Sequence, residues 1–271
     1  MISVIICSID AAKFARVTAN YRELLAGHPH EIIGIHDARS LSEGYNRGSR
    51  QARGELLIFS HDDIEIVSPD LVGAITSATA QLDVIGVVGT SKVLAAYWPA
   101  AGHPYLHGWV AQPAPDGQGF YVGVFGVDGA LSTHLQGLDG LFFVATRSVT
   151  AAVPFDEVTF DGFHGYDMDF SFGAHLAGFR VGTTAEIAVI HSSSGRFGGD
   201  AWQRCAERFV QKYRDHIPAG QARARSPFFR ALVGSKDAIA RDFPVRRLVK
   251  ITRRFRARAE WDAWRLEEPK G

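Results

Sequence analysis

The chain has 271 residues, 46% of them hydrophobic, enough to bury a sizeable core in one large domain or two small ones. Its 29 basic and 29 acidic side chains cancel, and two cysteines, Cys7 and Cys205, are too few for a disulfide framework. No apolar run approaches the roughly 18 residues of a membrane span.

The opening "MISVIICSID" has no basic segment and meets charge too early for a secretory signal, so a reducing, cytoplasmic setting is expected. Residues 3–9 form a continuous apolar run, the pattern of a strand covered on both faces. Residues 12–26 carry Phe14, Val17, Tyr21, Leu24 and Leu25 on one helical stripe. A second strand over 31–37 follows, then a short helix opened by Ser40 and Glu43 at capping-box spacing. A third strand runs into His61, Asp62 and Asp63. Ser68 as N-cap and Pro69 at the first position open a helix over 68–81, and a fourth strand covers 84–90. This alternation predicts an α/β fold with a mixed, mostly parallel central sheet flanked by helices.

Ligands bind at the carboxyl ends of parallel strands. Three successive strands here end in Ser8/Asp10, His36/Asp37 and His61/Asp62/Asp63, which would place all three clusters on one rim.

Residues 95–135 break the pattern and read as an irregular, aromatic-rich excursion with one hairpin around "PAPDGQG". Trp98, Tyr105, Trp109 and Tyr121 there suit either stacking on a sugar or base or a local apolar cluster. Order resumes with a strand over 138–147 and a helix over 165–177. A strand reaching from 181 to His191, a Gly/Ser loop and an amphipathic helix over 201–216 follow.

The charge balance is uneven along the chain. Residues 1–220 carry 15 Lys/Arg against 23 Asp/Glu, and residues 221–271 carry 14 against 6. An acidic body over 1–220 and a basic, partly helical extension over 221–271 are therefore expected. Contact with an anionic membrane suits such a tail, with dimerisation as the rival; nucleic acid is not expected as a partner.

Two carboxylates beside an imidazole, as in His61-Asp62-Asp63, suit Mg²⁺ or Mn²⁺ more than Zn²⁺. The plain alternative is an acid pair that caps the next helix or meets an arginine. Asp167, in the first turn of a helix, reads either as a general base or as a partner of the helix dipole. His191 gains weight only if the fold brings it beside Asp63.

These segments, in this order and spacing, resemble the family 2 glycosyltransferases of the GT-A fold. "SVIICSID" (3–10), "NRGSRQARGE" (46–55), "LLIFSHDDIEIVSP" (56–69) and "GFHGYDMDFSFGAHLAGFR" (162–180) carry the resemblance, which covers residues 2–215. The "FHGYDMDF" form is similar to bacterial enzymes related to streptomycin-biosynthesis glycosyltransferases.

The resemblance implies a metal-dependent, inverting transfer of sugar from a nucleotide donor (UDP-, GDP- or dTDP-linked) to a carbohydrate or lipid-linked acceptor hydroxyl. Ser8, Asp10 and Asp37 would hold the nucleotide. Asp63 would bind Mn²⁺ or Mg²⁺, with His61 or Asp62 helping and His191 completing the set. Asp167 would be the base. Three positions depart from the family pattern: His61 replaces an acid, Tyr166 replaces a glutamate, and Gly173 stands where arginine is common. A nucleotidyltransferase on the same sheet and a silent nucleotide- or carbohydrate-binding module are the rival readings.

Overall fold

A computed structural model describes residues 1–193, 198–218 and 228–267, with side chains up to Ala257. The chain begins with β1 (Ile2–Cys7), α1 (Ala11–Leu24), β2 (His30–Ile35), α2 (Leu41–Gln51) and β3 (Leu56–Ser60). Both helices open on side-chain caps, because the first-turn amides have no carbonyl partners within the helix. Asp10 accepts from the amides of Ala12 and Lys13, and Ser40 accepts from Glu43.

Next come β4 (Ile64–Ile66), α3 (Leu71–Thr79), β5 (Val84–Gly86), β6 (Val88–Thr90), β7 (Leu106–Pro113), β8 (Phe120–Gly126) and β9 (Leu131–Ser132). They lead to β10 (Gly137–Leu138), β11 (Phe142–Thr146), α4 (Arg147–Ala152), α5 (Tyr166–Leu176), β12 (Val181–Thr184) and β13 (Val189–His191). The chain continues with α6 (Asp200–Lys212), β14 (Phe229–Val233), α7 (Lys236–Asp242) and α8 (Val245–Glu267).

Two sheets result. The first runs β2-β1-β3-β11-β5-β12-β9. Its β1, β2 and β3 are mutually parallel, as are β5 and β12, whereas β11 and β9 run antiparallel to their neighbours. The second runs β10-β6-β7-β13-β4, with β8 added to β7 and β14 to β8. The expected mixed, mainly parallel α/β sheet is thus present, and a second sheet stands beside it.

The strands expected over 84–90, 138–147 and 181–191 are each broken in two. β5/β6, β10/β11 and β12/β13 are the halves, and in every case one half lies in each sheet. The third strand likewise stops at Ser60, and β4 resumes in the second sheet after His61-Asp62-Asp63. Both halves of these runs are buried, so hydrophobicity alone carries no mark of the crossing.

The cap of α3 also differs from expectation. Asp70 accepts from Gly73, while Ser68 is buried and bridges Glu186 O (2.9 Å) and the Ala188 amide (2.6 Å). The expected excursion over 95–135 is more regular than its composition suggested. It forms the β7–β8 hairpin, whose turn at Ala114–Gly119 coincides with "PAPDGQG".

The core of the first sheet is aromatic, with Tyr45, Phe59, Phe143, Phe155 and Phe170 mutually packed and the last two stacked 4.4 Å apart. The junction expected at residue 220 lies outside the described residues. Beyond it, β14 pairs with all of Phe120–Val124 of β8, and Ile239, Phe243 and Leu248 join Trp109, Val122 and Val124 in a shared core. No described helix is long and apolar enough to cross a membrane.

Candidate active site

The crossing from β3 to β4 positions the central residues. The His61 amide donates to Leu141 O (3.0 Å), and Asp63 O accepts from the Ser192 amide (2.9 Å), so the segment is pinned at both ends. Antiparallel pairing of β13 with β4 sets His191 opposite Ile64, next to Asp63. His191 Nε2 is 3.3 Å and His61 Nδ1 3.9 Å from Asp63 Oδ1, and the two ring nitrogens are 3.5 Å apart.

The neighbouring Asp62 turns the other way. Its Oδ2 accepts from Ser8 Oγ (2.7 Å), and its Oδ1 is 3.8 Å from Lys13 Nζ. Ser8 and Asp62 border a 400 Å³ cavity formed with Cys7, Ile35, Leu41 and Phe163. Asp10 and Asp37 do not line it. Asp10 is engaged in the α1 cap, and Asp37, at the end of β2, is exposed and bonded to Arg47 at 2.6 Å. That Arg47 hydrogen bond and charge hold the Asp37 carboxyl below its ordinary range.

On the other side of the crossing lies a 440 Å³ cavity that includes His61, His191, Trp98, Asp139, Tyr166 and Asp167. His61 and Phe163 border both cavities. α5 starts here from Gly165, whose φ of +75° is left-handed and where a Cβ would strike Cys205 Sγ. That start presses Tyr166 and Asp167 against Asp139-Gly140, the crossing between β10 and β11. Gly140 has no room for a Cβ, which would overlap the Tyr166 hydroxyl. Asp167 Oδ2 accepts from the Gly140 amide (2.9 Å), and Asp139 Oδ2 accepts from Trp98 Nε1 (2.7 Å).

The Tyr166 hydroxyl links His61 to the crossing between β10 and β11. The buried Tyr166 hydroxyl donates to Gly140 O (3.2 Å) and sits 2.6 Å from His61 Nε2. With the tyrosine proton on Gly140 O and the imidazole proton on Nε2, the tyrosine oxygen accepts from His61 and the Nδ1 lone pair faces Asp63 and His191, the tautomer that a metal there would select. Burial, then the charge of His191, depresses the His61 pKa and keeps the ring neutral. Burial would raise Asp63, but the hydrogen bond and charge of His191, with His61, outweigh it and keep the carboxyl well below its usual range. Asp167 behaves oppositely: burial, and then the negative charge of Asp139, push its carboxyl up to about 7.

A family model described as "Glycosyltransferase like family" matches residues 3–213. The chain belongs to this glycosyltransferase-like family. No curated protein matches the sequence. Among solved structures, GalNAc-T7 with UDP, GalNAc and Mn²⁺ is 12% identical with a TM-score of 0.50, over 80% of this chain and 48% of that one. A mannosyltransferase from Pyrobaculum calidifontis with GDP-Man and Mn²⁺ is 14% identical with a TM-score of 0.49, over 82% of this chain and 65% of that one. The chain thus spans less than two thirds of the length of either protein. Its fold is that of the GT-A glycosyltransferases.

Among the described residues, His61, Asp63 and His191 are the group able to share an ion, their ligand atoms all lying within 4.8 Å of one another. The donor chemistry fits a divalent metal: a deprotonated carboxylate and a neutral imidazole with its lone pair turned inward. It differs from the oxygen-rich pair expected of His61-Asp62-Asp63. Asp62 is drawn to Ser8 and His191 takes its place, so two nitrogens accompany one carboxylate. That set favours Mn²⁺ or a later transition metal over Mg²⁺, which prefers oxygen and water.

The fold thus gathers His61, Asp63, His191 and Asp167 about one seam, places Ser8 and Asp62 on the adjoining wall, and leaves Asp10 and Asp37 at the periphery. Sequence reasoning did not find Asp139 as the neighbour that tunes Asp167, or Tyr166 as the partner of His61. The only signal for Tyr166 was its departure from the family's glutamate.

Proposed function

We propose that the protein is a metal-dependent, inverting glycosyltransferase that moves a sugar from a nucleotide-sugar donor to an acceptor hydroxyl. One observation carries this reading: the His61–Asp63–His191 group lies at the seam of two cavities, and Asp167, poised near neutrality, lines the second. The first cavity has the size and mixed lining for a nucleoside, with Ser8 and Asp62 as polar anchors and Asp10 and Asp37 near its rim. The second would hold the acceptor, a carbohydrate or a lipid-linked sugar.

Asp63, His61 and His191 would hold the ion, with Mn²⁺ preferred, which when bound neutralises charge on the departing nucleoside diphosphate. Tyr166 fixes the His61 ring, and Asp139 keeps the Asp167 carboxyl basic enough to accept a proton. Asp167 removes the acceptor proton as the new C–O bond forms at the anomeric carbon. The C–O bond to the diphosphate breaks on the opposite face, its electron pair leaving with the phosphate oxygen, and the anomeric configuration inverts. The Tyr166-containing "FHGYDMDF" segment supports placement in the streptomycin-biosynthesis-like subgroup.

Product analysis with Mn²⁺ and a panel of nucleotide sugars tests the reading. Nucleoside diphosphate release with an inverted glycosidic product is expected, and Asp63→Ala should lower turnover by at least about a hundredfold. Release of pyrophosphate, or wild-type turnover in Asp63→Ala, would overturn it. We further propose that the exposed basic face of α8 meets anionic lipid, where lipid-linked acceptors reside.

A further inference from the structure

The family match ends at residue 213, yet the acceptor-side cavity is completed by residues beyond it. β14 pairs with β8 so that Arg230 lies opposite Gly123, and both Arg230 and Phe228 line the cavity that contains Asp167. The wall they build is apolar. Trp98 meets Phe125 edge-on at 4.8 Å, and Phe125 stacks on Phe228 at 5.3 Å. Such rings suit the CH face of a sugar.

Arg230 is the exception on that wall. Its guanidinium lies 3.7 Å from the centre of the Tyr121 ring, and among the described residues it forms no ion pair. Stacking occupies the flat face of the guanidinium and leaves its in-plane N–H groups directed outward, the geometry that grips a phosphate or carboxylate through two parallel bonds. The cavity's acids cannot satisfy it from within. Asp139 is bonded to Trp98, and Asp167 to the Gly140 amide, at the end of the cavity next to His61. A neutral sugar would use the aromatic wall alone, whereas an anionic one would add a charge-assisted pair with this guanidinium.

We propose that Arg230 is a specificity-determining residue and that the acceptor is an anionic sugar, bearing a phosphate or carboxylate beside the reacting hydroxyl's ring. The inference rests on the glycosyltransferase reading and adds the acceptor class to it.

Calorimetry on the full chain with Mn²⁺ tests it in two arms. UDP, GDP and dTDP are titrated first. Methyl gluco-, galacto- and mannosides are then titrated into the best diphosphate complex, each alongside its 6-phosphate and its uronate. An anionic member should bind roughly tenfold more tightly than its neutral parent, and which member does so separates phosphate from carboxylate recognition. Arg230→Gln should erase that difference without weakening the neutral glycoside, and Arg230→Lys should restore part of it. Added salt should shrink it, since the cation sits at an exposed rim. Diphosphate binding with equal affinity for neutral and anionic sugars, or with no sugar binding, overturns the Arg230 assignment and leaves the glycosyltransferase reading standing. An equal loss for both classes in Arg230→Gln also overturns it. Failure of every diphosphate to bind removes both.

Discussion

Asp167 is raised to about 7 by burial and by the charge of Asp139, and this has consequences for rate and for stability. A general base works only when ionised, so kcat/KM should climb with pH and level off above about 7. Asp167→Asn should cost about 10²–10⁴ in turnover and flatten that limb, read from a pH–rate profile. Unfolded, the same carboxyl ionises near about 4. Between about 4 and 7 the folded chain keeps a proton that the unfolded chain has released, so stability falls as pH rises through that window. Asp167→Asn should therefore melt above the wild type at pH values beyond about 7 and level with it near about 4. Equal melting curves at both would refute the raised pKa. Tyr166→Phe removes the acceptor of the His61 Nε2 proton and frees the ring. Mn²⁺ affinity, measured by calorimetry, should drop about tenfold to a hundredfold while the fold persists. Asp63, His191 and Asp167 were legible in the sequence because each stands at the end of a recognisable element. The bond between His61 and Tyr166 was not, because the two are 105 positions apart and no local pattern joins them.

Three apolar runs that read as single strands cross between sheets, as does the step from β3 to β4, and the chemistry gathers at two of these four crossings, His61–Asp63 and Asp139–Gly140. A buried strand and two buried half-strands bury the same side chains, so periodicity cannot separate them. The helix α5 shows the complementary case. Its "DMD" holds two acids on different sides of the helix, and they meet different partners. Asp169 is buried and accepts from Lys212 (2.7 Å) and Tyr213 (2.7 Å) of the α6 end, while Asp167 faces the cavity. Asp169→Ala would leave the Lys212 ammonium with Asp156 alone and the Tyr213 hydroxyl with only the backbone carbonyl of residue 169, at 3.2 Å. It should lower unfolding free energy by about 2–3 kcal/mol, seen as a lower denaturant midpoint with an unchanged slope. Turnover per folded molecule should hold near the wild-type value; a loss as large as that of Asp167→Asn would contradict the structural role.

At the scale of the whole molecule, the basic C-terminal region has two faces with different duties. Leu248 and Thr252 of α8 are fully buried, Leu248 in the core shared with β8, whereas Arg246, Lys250, Arg253 and Arg254 are exposed. Each such cation near an anionic leaflet contributes about 1 kcal/mol, so the four together would give salt-sensitive binding. Exchanging them for glutamate should abolish cosedimentation with phosphatidylglycerol vesicles and leave the melting temperature within a few degrees; undiminished sedimentation would refute the membrane proposal. The buried face explains why the segment after residue 228 completes a core and a cavity wall, although the sequence presents it only as a charge-rich stretch.

By itself, the sequence determined the alternation of strands and helices, the cap at Ser40, the family, and the acids and histidines around which a site could form. These are local quantities: periodicity of three or four residues, turn chemistry, and motifs within twenty positions. Tertiary structure alone decided that a second sheet exists, that Asp62 turns to Ser8 while His191 joins Asp63, that Asp139 lifts the Asp167 carboxyl, and that Arg230 reaches the cavity lined by Asp167. Each of these depends on which distant segments share a crossing or a strand pair, and on the burial and charge that this proximity creates. Neither is encoded in the spacing of the residues concerned.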